Sequence, residues 1–585
     1  MREYIYMWIN GSCPLDDFGG DNFLIHKQGF SLSSKYIIKD SLSRKTLAFT
    51  CKQTQVPTNF FSPNFSDIKG FIGENGSGKS TVLRLLYRII GDGFGNPIDD
   101  VNGFVIFYTD DGKHIHYYKS PECPYLVEAP FAKEDFEEMG ILPYKSERTV
   151  FYTAAVNDVE VKSPNVASCY DISTNALLYS DCENRYNDKR LPKDFFSTYV
   201  VMEMVRKIKF ATLFYEQFVN NETIRFRVPN AVRVKPIKIN DYMIKKMSDS
   251  PAKIREWRKI EKDIKDFDDY FRLAVLCNHI VGYPLNLKEK GKIPHIVTNP
   301  QKIREIGLEK TLQEYSEKNI LDGEKRLAHR VERLLSVIRI IDSEQKKALK
   351  EYKKIRPTLI GAEGIFFDLN DSCHRKILKI FIEGYSRITW LTPFLTLKWR
   401  QQSSGEETFI KFYSRFYDTL KNYRESLASK DIHLFIDEAD LYLHPDWQRC
   451  WMFEFIEVMG IVLKKMYPSN TPKIQLFISS HSPFIITDFP KENLVLLKRE
   501  DGSTPLEIIN EPSKSPFGAN LYDLLNDGFF LKNSIGLFSE KKIQKLIEHK
   551  KRIVVENTEK TVLELECQYI ESHIGDPVIR SLVKK

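Results

Sequence analysis

An α/β fold is predicted for this chain, with a helical stretch set into it and a helical tail behind it. Three observations carry that expectation. A short apolar strand, Ile68-Lys69-Gly70-Phe71-Ile72, runs into the glycine loop Gly73-Glu74-Asn75-Gly76-Ser77-Gly78-Lys79-Ser80-Thr81 and then into a helix with a wide apolar face ending near Ile90. Two later apolar runs, His433 to Ile436 and Leu476 to Ile478, each stop abruptly at polar residues. Between these regions, residues from about Asn240 to Arg356 are dense in Lys, Glu, Arg and Leu at helical spacing.

The glycine loop fits G-x-x-x-x-G-K-[ST] at every defined position, and strand, loop and helix stand in the order its chemistry requires. Glycines let successive backbone N–H groups point into one concavity that a β-carbon would obstruct. The helix N-terminus adds partial positive charge facing a phosphate. Gly73, Asn75, Gly76, Ser77, Gly78, Lys79, Ser80 and Thr81 are therefore the candidate phosphate cradle. Lys79 is placed to reach the β- and γ-phosphates, and the Ser80 hydroxyl to ligate Mg2+.

Residues 1–72 read as strand-rich. Tyr4 to Ile9, Phe23 to His26, Tyr36 to Lys39 and Leu47 to Lys52 are short runs of β-branched and aromatic residues separated by Gly, Asp and Ser. The loop from Val56 to Phe65 holds Pro57, Pro63 and three phenylalanines; it reads as an ordinary packed loop, with contact to an adenine as the alternative. Phe104 to Thr109 and His114 to Tyr118 flank Asp110-Asp111-Gly112, a hairpin signal. Val150 to Thr153 is a further core strand. Helices are expected over Pro251 to Ile280 and Ile303 to Ile355, with Leu327, Val331, Leu334, Leu335 and Ile338 on one apolar face. The heptads are too irregular for a long coiled coil, and the charges read as a solvated face in preference to a nucleic-acid track. After Pro516 the chain returns to helix, most basic from Lys541 to Arg552.

His433-Leu434-Phe435-Ile436-Asp437-Glu438 is an apolar strand that delivers two carboxylates to its C-terminal end. Asp437 is expected to hold Mg2+, directly or through water, and Glu438 to polarise the attacking water. Leu476 to His481 is a second such strand, and the His481 imidazole falls where a γ-phosphate would lie. Ser403-Ser404-Gly405-Glu406 opens a helix from Thr408 to about Leu420; by itself this is a capped helix, whose N-terminal amides are also an anion site.

The 585 residues exceed one ordinary core and point to two or three domains. A hydrophobic fraction of 42% fits a globular protein, and a net charge of +7 permits nucleic-acid contact without requiring it. Nine scattered cysteines form no C-x-x-C pair, which fits reduced thiols in the cytoplasm and not a zinc site or disulfide framework. No signal-peptide pattern opens the chain, and no apolar run approaches the ~20 residues of a membrane span.

Taken in order, Gly73 to Ser80, Ser403-Ser404-Gly405-Glu406, Asp437-Glu438 and His481 resemble the P-loop, signature, Walker B and H-loop of an ABC-type ATPase head. Asp437-Glu438-Ala439-Asp440-Leu441-Tyr442-Leu443-His444-Pro445 and Ser479-Ser480-His481-Ser482-Pro483-Phe484 resemble the forms found in the OLD, RecF and SMC branch. The tail segments Phe517 to Leu525, Gly528 to Leu531 and Ile574 to Arg580 are similar to those of AAA family ATPases in bacterial anti-phage operons, closest to the PtuA-type ATPase of Septu and retron systems.

The resemblance implies an α/β fold with an ABC-type P-loop ATPase head split in sequence, a helical insertion and a helical C-terminal tail. The implied limits are 1–239 for the N-terminal part of the head, 240–360 for the insertion, 361–510 for the C-terminal part and 511–585 for the tail. It implies ATP and Mg2+, catalytic roles for Glu438 and His481, and a head-to-tail homodimer in which Ser403, Ser404, Gly405 and Glu406 complete the partner's site. It implies a cytoplasmic regulatory ATPase whose partners are an HNH nuclease and a reverse transcriptase with its nucleic acid, DNA or RNA being the target of the complex. The alternatives are a RecF/SMC-like DNA-binding ATPase and an OLD-like nuclease. Gln402 stands where many ABC proteins have Leu, no Q-loop glutamine is identifiable near Val150 to Asp158, and no strand-borne D-x-D pair follows His481.

Overall fold

Seven strands form a central sheet whose middle is drawn from both ends of the sequence. In spatial order they are Cys169–Asp171, Arg148–Thr153, Ile432–Asp437, Ile474–Ser479, Phe65–Gly73, Leu494–Lys498 and Glu507–Ile509. All neighbours run parallel except the last pair. Parallel strands covered on both faces read as continuous apolar runs, and Ile432–Asp437 and Ile474–Ser479 are buried at every residue. The computed structural model describes residues 3–11, 25–57, 59–74, 76–92, 102–108, 115–128, 136–139, 148–155, 169–183, 195–237, 250–264, 266–282, 299–317, 327–337, 365–386, 395–399, 402–422, 431–498, 506–510, 512, 515–520, 537–553, 567, 570–572, 574 and 577–584. The Asp110-Asp111-Gly112 turn, Asn75, residues 156–158, Ile338 and most of the PtuA-like tail segments lie outside them.

The Lys79–Asp92 helix lies between the central sheet and a second sheet containing Glu3–Gly11, His26–Ser31, Asn102–Tyr108, Ile115–Lys119 and Phe136–Glu138. Val82, Leu83, Leu86 and Ile90 pack against Phe71, Phe151, Phe435 and Phe477 on one side and Tyr4, Met7, Val105 and Phe107 on the other. A bulge between Tyr4 and Tyr6 shifts the alternation of the first strand. Tyr4, Met7 and Ile9 consequently face the helix, and Ile5, Tyr6 and Trp8 face Ile38, Leu47 and Phe49 on the opposite side. Of the run expected from Phe23 to His26, Phe23 and Leu24 lie outside the described residues; the second strand spans His26–Ser31. Its pairing of Phe30 with Met7 buries Phe30, while Gln28 and Gly29 hide the strand from a reading of apolar residues.

Residues 237–364 leave and return through a three-stranded antiparallel sheet of Ala231–Pro236, Ile365–Asp368 and Leu395–Trp399. The stretch with helical spacing from Pro251 to Ile280 holds two helices, Pro251–Asp263 and Phe267–Gly282. Ile264 is extended at the break, and the Asp266 carboxylate accepts from Asp269 N at 2.8 Å as the second helix begins. Leu327, Val331, Leu334 and Leu335 are buried. Arg272 pairs in two-pronged fashion with Glu332, at 2.7 and 2.8 Å, tying the second of these helices to residues 327–337.

The Ser404–Asn422 helix packs against the long Phe195–Val219 helix through Phe210, Phe214, Tyr413 and Tyr417. The chain divides into two compact units, Met1–Phe517 and Gly518–Lys585. In the second, Leu537–Ile553 and Pro577–Lys584 are helical, and Leu546, Ile574 and Val583 form a small core.

Candidate active site

Three parallel strands, Phe65–Gly73, Ile432–Asp437 and Ile474–Ser479, end on the same edge of the central sheet, so the residues that follow them meet there. After Gly73 the backbone turns, with Ser77 N donating to Glu74 O at 3.2 Å and Val82 N to Gly78 O at 2.9 Å. Gly76 and Gly78 have φ of 78° and 87°, the left-handed region where a side chain is strained. A β-carbon on Gly73 would lie 2.1 Å from Leu497 O, so only glycine lets the loop leave the sheet here. Lys79 Nζ folds across the loop to Gly73 O at 2.9 Å and Glu74 O at 2.8 Å. Burial pulls its ammonium down to about 8, against the opposing influence of Asp437, Glu438 and Asp440. Thr81 sits half-buried in the first helical turn.

Asp437 is 1% exposed and accepts from Ser80 Oγ at 3.1 Å and Ser479 Oγ at 2.5 Å. The same Ser479 hydroxyl accepts from Glu438 N at 2.9 Å. Asp440 Oδ1 accepts from Ser480 Oγ at 2.7 Å and His481 N at 3.0 Å. Two adjacent strand ends are thereby laced together by side chains. Glu438 has φ of 55°, uncommon for a residue with a side chain and a mark of sites where surroundings enforce the backbone. Burial pushes its carboxyl up and Asp437 and Asp440 push it further, against Lys79. A carboxylate raised toward neutrality is a better proton acceptor. Burial, then the Lys79 charge, hold the His481 imidazole below its usual value, which leaves it neutral at pH 7.

The structure brings Lys79, Ser80, Asp437, Glu438 and His481 into one cluster. None of the hydrogen bonds of Ser403, Ser404 or Glu406 reaches it. Ser403 and Glu406 form a reciprocal cap, with Ser403 N donating to Glu406 Oε2 at 2.9 Å and Glu406 N to Ser403 Oγ at 3.3 Å. Gly405 lies 3.5 Å, measured from an added β-carbon, from the Trp447 ring. In the loop before the Phe65–Gly73 strand, Phe60 meets Phe517 edge to face and Phe61 packs at a tilt on Phe489, as a packed loop does.

Sequence reasoning missed three contributors. Ser479 and Asp440 stood inside quoted motifs, but their hydrogen bonds exist only once two strands are neighbours. Arg415, on the buried face of the Ser404–Asn422 helix, was visible only as a charge between Phe412 and Phe416.

The cradle fits a nucleoside triphosphate and a divalent cation. Among the described residues, Ser77 Oγ is buried without a hydrogen-bond partner, and none of them fills the space beyond Gly76. Ser80 and Asp437 present the hard oxygens that magnesium takes. Comparison with known proteins agrees: the chain belongs to the AAA ATPase domain family, which matches residues 59–486. Over 128 residues it is 33% identical to the Retron Vc95 probable ATPase of Vibrio cholerae serotype O1 biovar El Tor. That alignment covers 21% of this chain and 22% of the relative, so the chain spans about a fifth of the curated relative it matches. Among the described residues no helix is long and apolar enough to cross a membrane.

Proposed function

We propose that the chain is a cytoplasmic regulatory ATPase of an anti-phage complex, which hydrolyses ATP and thereby controls an HNH-type nuclease on another polypeptide. The observation that carries the enzymatic part is the 3.1 Å contact of Ser80 Oγ with Asp437 Oδ1 beneath the span of Lys79. It joins two motifs 357 residues apart in the arrangement phosphoryl transfer needs. Lys79 leaves the loop carbonyls for the phosphates. Ser80 and Asp437 hold Mg2+, which when bound neutralises charge on the phosphate oxygens. Glu438 orients and polarises the attacking water, and neutral His481 offers a hydrogen bond to the γ-phosphate side of the site. Ser403, Ser404, Gly405 and Glu406 complete the site of a second subunit in a head-to-tail homodimer.

The regulatory part rests on the tail segments similar to PtuA-type ATPases of Septu and retron systems and on the printed name of the Vibrio relative, a retron ATPase. A reverse transcriptase with its nucleic acid belongs to the same reading. Glu438→Gln tests the first part: it should bind ATP as the wild type does and lose steady-state turnover, and normal turnover would overturn it. Purification with neighbouring gene products tests the second, since an HNH nuclease whose cleavage depends on the ATP state of this chain is expected. A nuclease absent from the complex, or indifferent to Lys79→Ala, contradicts it.

A further inference from the structure

The Pro445–Met466 helix sends one side chain back into the turns that carry Glu438 and His481. Its start follows from the sequence. His444 caps it, accepting from Asp446 N at 3.3 Å, and Pro445 occupies the first turn, where a missing N–H costs nothing. Gln448 therefore stands one turn in, facing the residues just before the helix. Its Nε2 donates to Leu443 O at 2.9 Å, and its Oε1 accepts from Ser482 Oγ at 2.8 Å. A carbonyl oxygen only accepts and a hydroxyl can donate, so both contacts require the same orientation of the amide.

These two bonds close a ring. Leu443 N donates to Asp440 O at 3.1 Å, and Asp440 Oδ1 accepts from Ser480 Oγ at 2.7 Å. Ser480 Oγ in turn accepts from Ser482 N at 2.9 Å. The ring passes through the turn after Glu438 and through the turn that contains His481. Asp440 holds His481 by its backbone N–H, at 3.0 Å, and Gln448 holds the residue after it. On the other side the tethered carbonyl follows Tyr442, which has φ of 66° with its side chain 60% exposed. Glu438 has φ of 55°, so two strained residues bracket this turn. Such strain persists only where surroundings enforce it. An exposed tyrosine ring enforces nothing, whereas hydrogen bonds at Leu443 do. The anchor is itself fixed. Trp447 packs on Phe409 with ring centres 5.4 Å apart, and the buried Glu454 accepts from Arg225 N at 3.0 Å and Phe226 N at 3.1 Å.

We propose that Gln448 is a positioning residue of the ATPase site, which keeps the His481 imidazole in register with the Glu438 carboxylate by tying both turns to one helix. It acts through Ser482 and Leu443. The inference rests on the reading of Glu438 and His481 as the groups that act at the γ-phosphate. Lys79 and Asp437 have hydrogen bonds of their own, to Gly73 O and Glu74 O and from Ser80 and Ser479, and do not depend on Gln448. Loss of the amide should therefore spare ATP binding and slow the chemical step, which needs the reacting groups aligned.

The test is Gln448→Met, which keeps the side chain's length and removes both bonds. Steady-state kcat should fall about tenfold or more, while the Kd for ATP and the Mg2+ midpoint stay within about twofold. Ser482→Ala cuts the same link from its other end and should behave alike; it carries the test if Gln448→Met fails to fold. The double variant should lose little beyond the stronger single one, because both remove one interaction. Hydrogen exchange of the nucleotide-free protein is the readout that needs no hydrolysis. Peptides over 439–443 and 480–485 should exchange roughly fivefold faster in Gln448→Met, with those over 79–92 unchanged. Unchanged exchange in the first two overturns the proposal whether or not the chain turns over ATP. Unchanged kcat, a loss that only follows weaker ATP binding, or fully additive losses in the double variant also overturn it. Normal turnover in Glu438→Gln strikes the underlying reading instead, and is told apart because it appears with Gln448 intact.

Discussion

The Arg415 guanidinium, wholly buried, donates through Nε to both carboxylate oxygens of Glu203 at 3.0 and 3.1 Å. The pair joins the helix that begins at Ser404 to the Phe195–Val219 helix. Its remaining donors reach Ile172 O at 3.1 Å and Tyr199 Oη at 2.7 Å, beside the strand end at Thr153. Burial alone would raise the Glu203 carboxyl; Arg415 and Arg206 overcome it and hold the group below its usual range. Removing Arg415 leaves a buried carboxylate whose remaining ion pair, with Arg206, is the longer one at 3.5 Å. Arg415→Met should therefore cost about 3–5 kcal/mol of unfolding free energy. Combining it with Glu203→Gln should recover roughly half or more, because the buried charge goes too. Denaturant melts of the two variants decide; equal losses in both would mean that packing, not charge, dominates.

Lys79 makes nucleotide binding depend on pH. Its ammonium in the free protein lies at about 8, and bound phosphates favour the charged form. The group thus binds more protons in the complex than in the free protein as pH rises through 8, so affinity is full below that value and falls above it, by up to about tenfold per pH unit. Isothermal titration with ATP at fixed Mg2+ measures this. Lys79→Ala should bind weakly at every pH and flatten the dependence, whereas a flat wild-type profile to about pH 9.5 would contradict the assignment.

Ser479 holds Asp437 and the Glu438 backbone with one hydroxyl. Ser479→Ala should raise the Mg2+ concentration needed for half-maximal turnover and lower kcat, together by about 10–100-fold, the usual loss when a residue that orients a metal ligand is removed. Ser479→Thr keeps the hydroxyl and should restore part of it. The informative readout is the Mg2+ titration, since a merely structural residue would leave its midpoint in place.

A site completed by a second subunit can be tested by mixing. Gly405 has ordinary backbone angles and its added β-carbon meets Trp447 at a normal contact distance, so Gly405→Asp should fold. It should nonetheless inactivate a homodimer by setting a carboxylate against the γ-phosphate. Lys79→Ala homodimers should be inactive as well. A mixed dimer has one intact site, so partial ATPase recovery is expected. Heterodimers that form and show no recovery at any ratio would refute sharing across subunits.

The parts legible in the sequence were those whose chemistry is local. The phosphate loop, the strand ending at Asp437 and the one ending before His481 each carry their own signal within ten or so residues. What escaped depends on contacts far apart in the chain. Ala231–Pro236 pairs with Ile365–Asp368 and Leu395–Trp399 across the whole insertion, and no run of four to six residues announces such partners. Arg415 looked like an ordinary helix charge because Glu203 belongs to another helix. The break at 264–266 was readable, with Asp266 as a cap, but an unbroken helical period on both sides concealed it.

The position of Phe65–Gly73 has a consequence for the chain's birth. Its two hydrogen-bonding edges are closed by Ile474–Ser479 and Leu494–Lys498, synthesised roughly 400 residues later. At about 5–20 residues per second the strand waits on the order of half a minute with both edges open. Until the ribosome has released residue 498, the phosphate loop hangs from an unfinished sheet. A nascent or prematurely ended chain therefore presents an apolar ribbon for chaperones and proteases, and nucleotide can stabilise only molecules whose translation has passed that point.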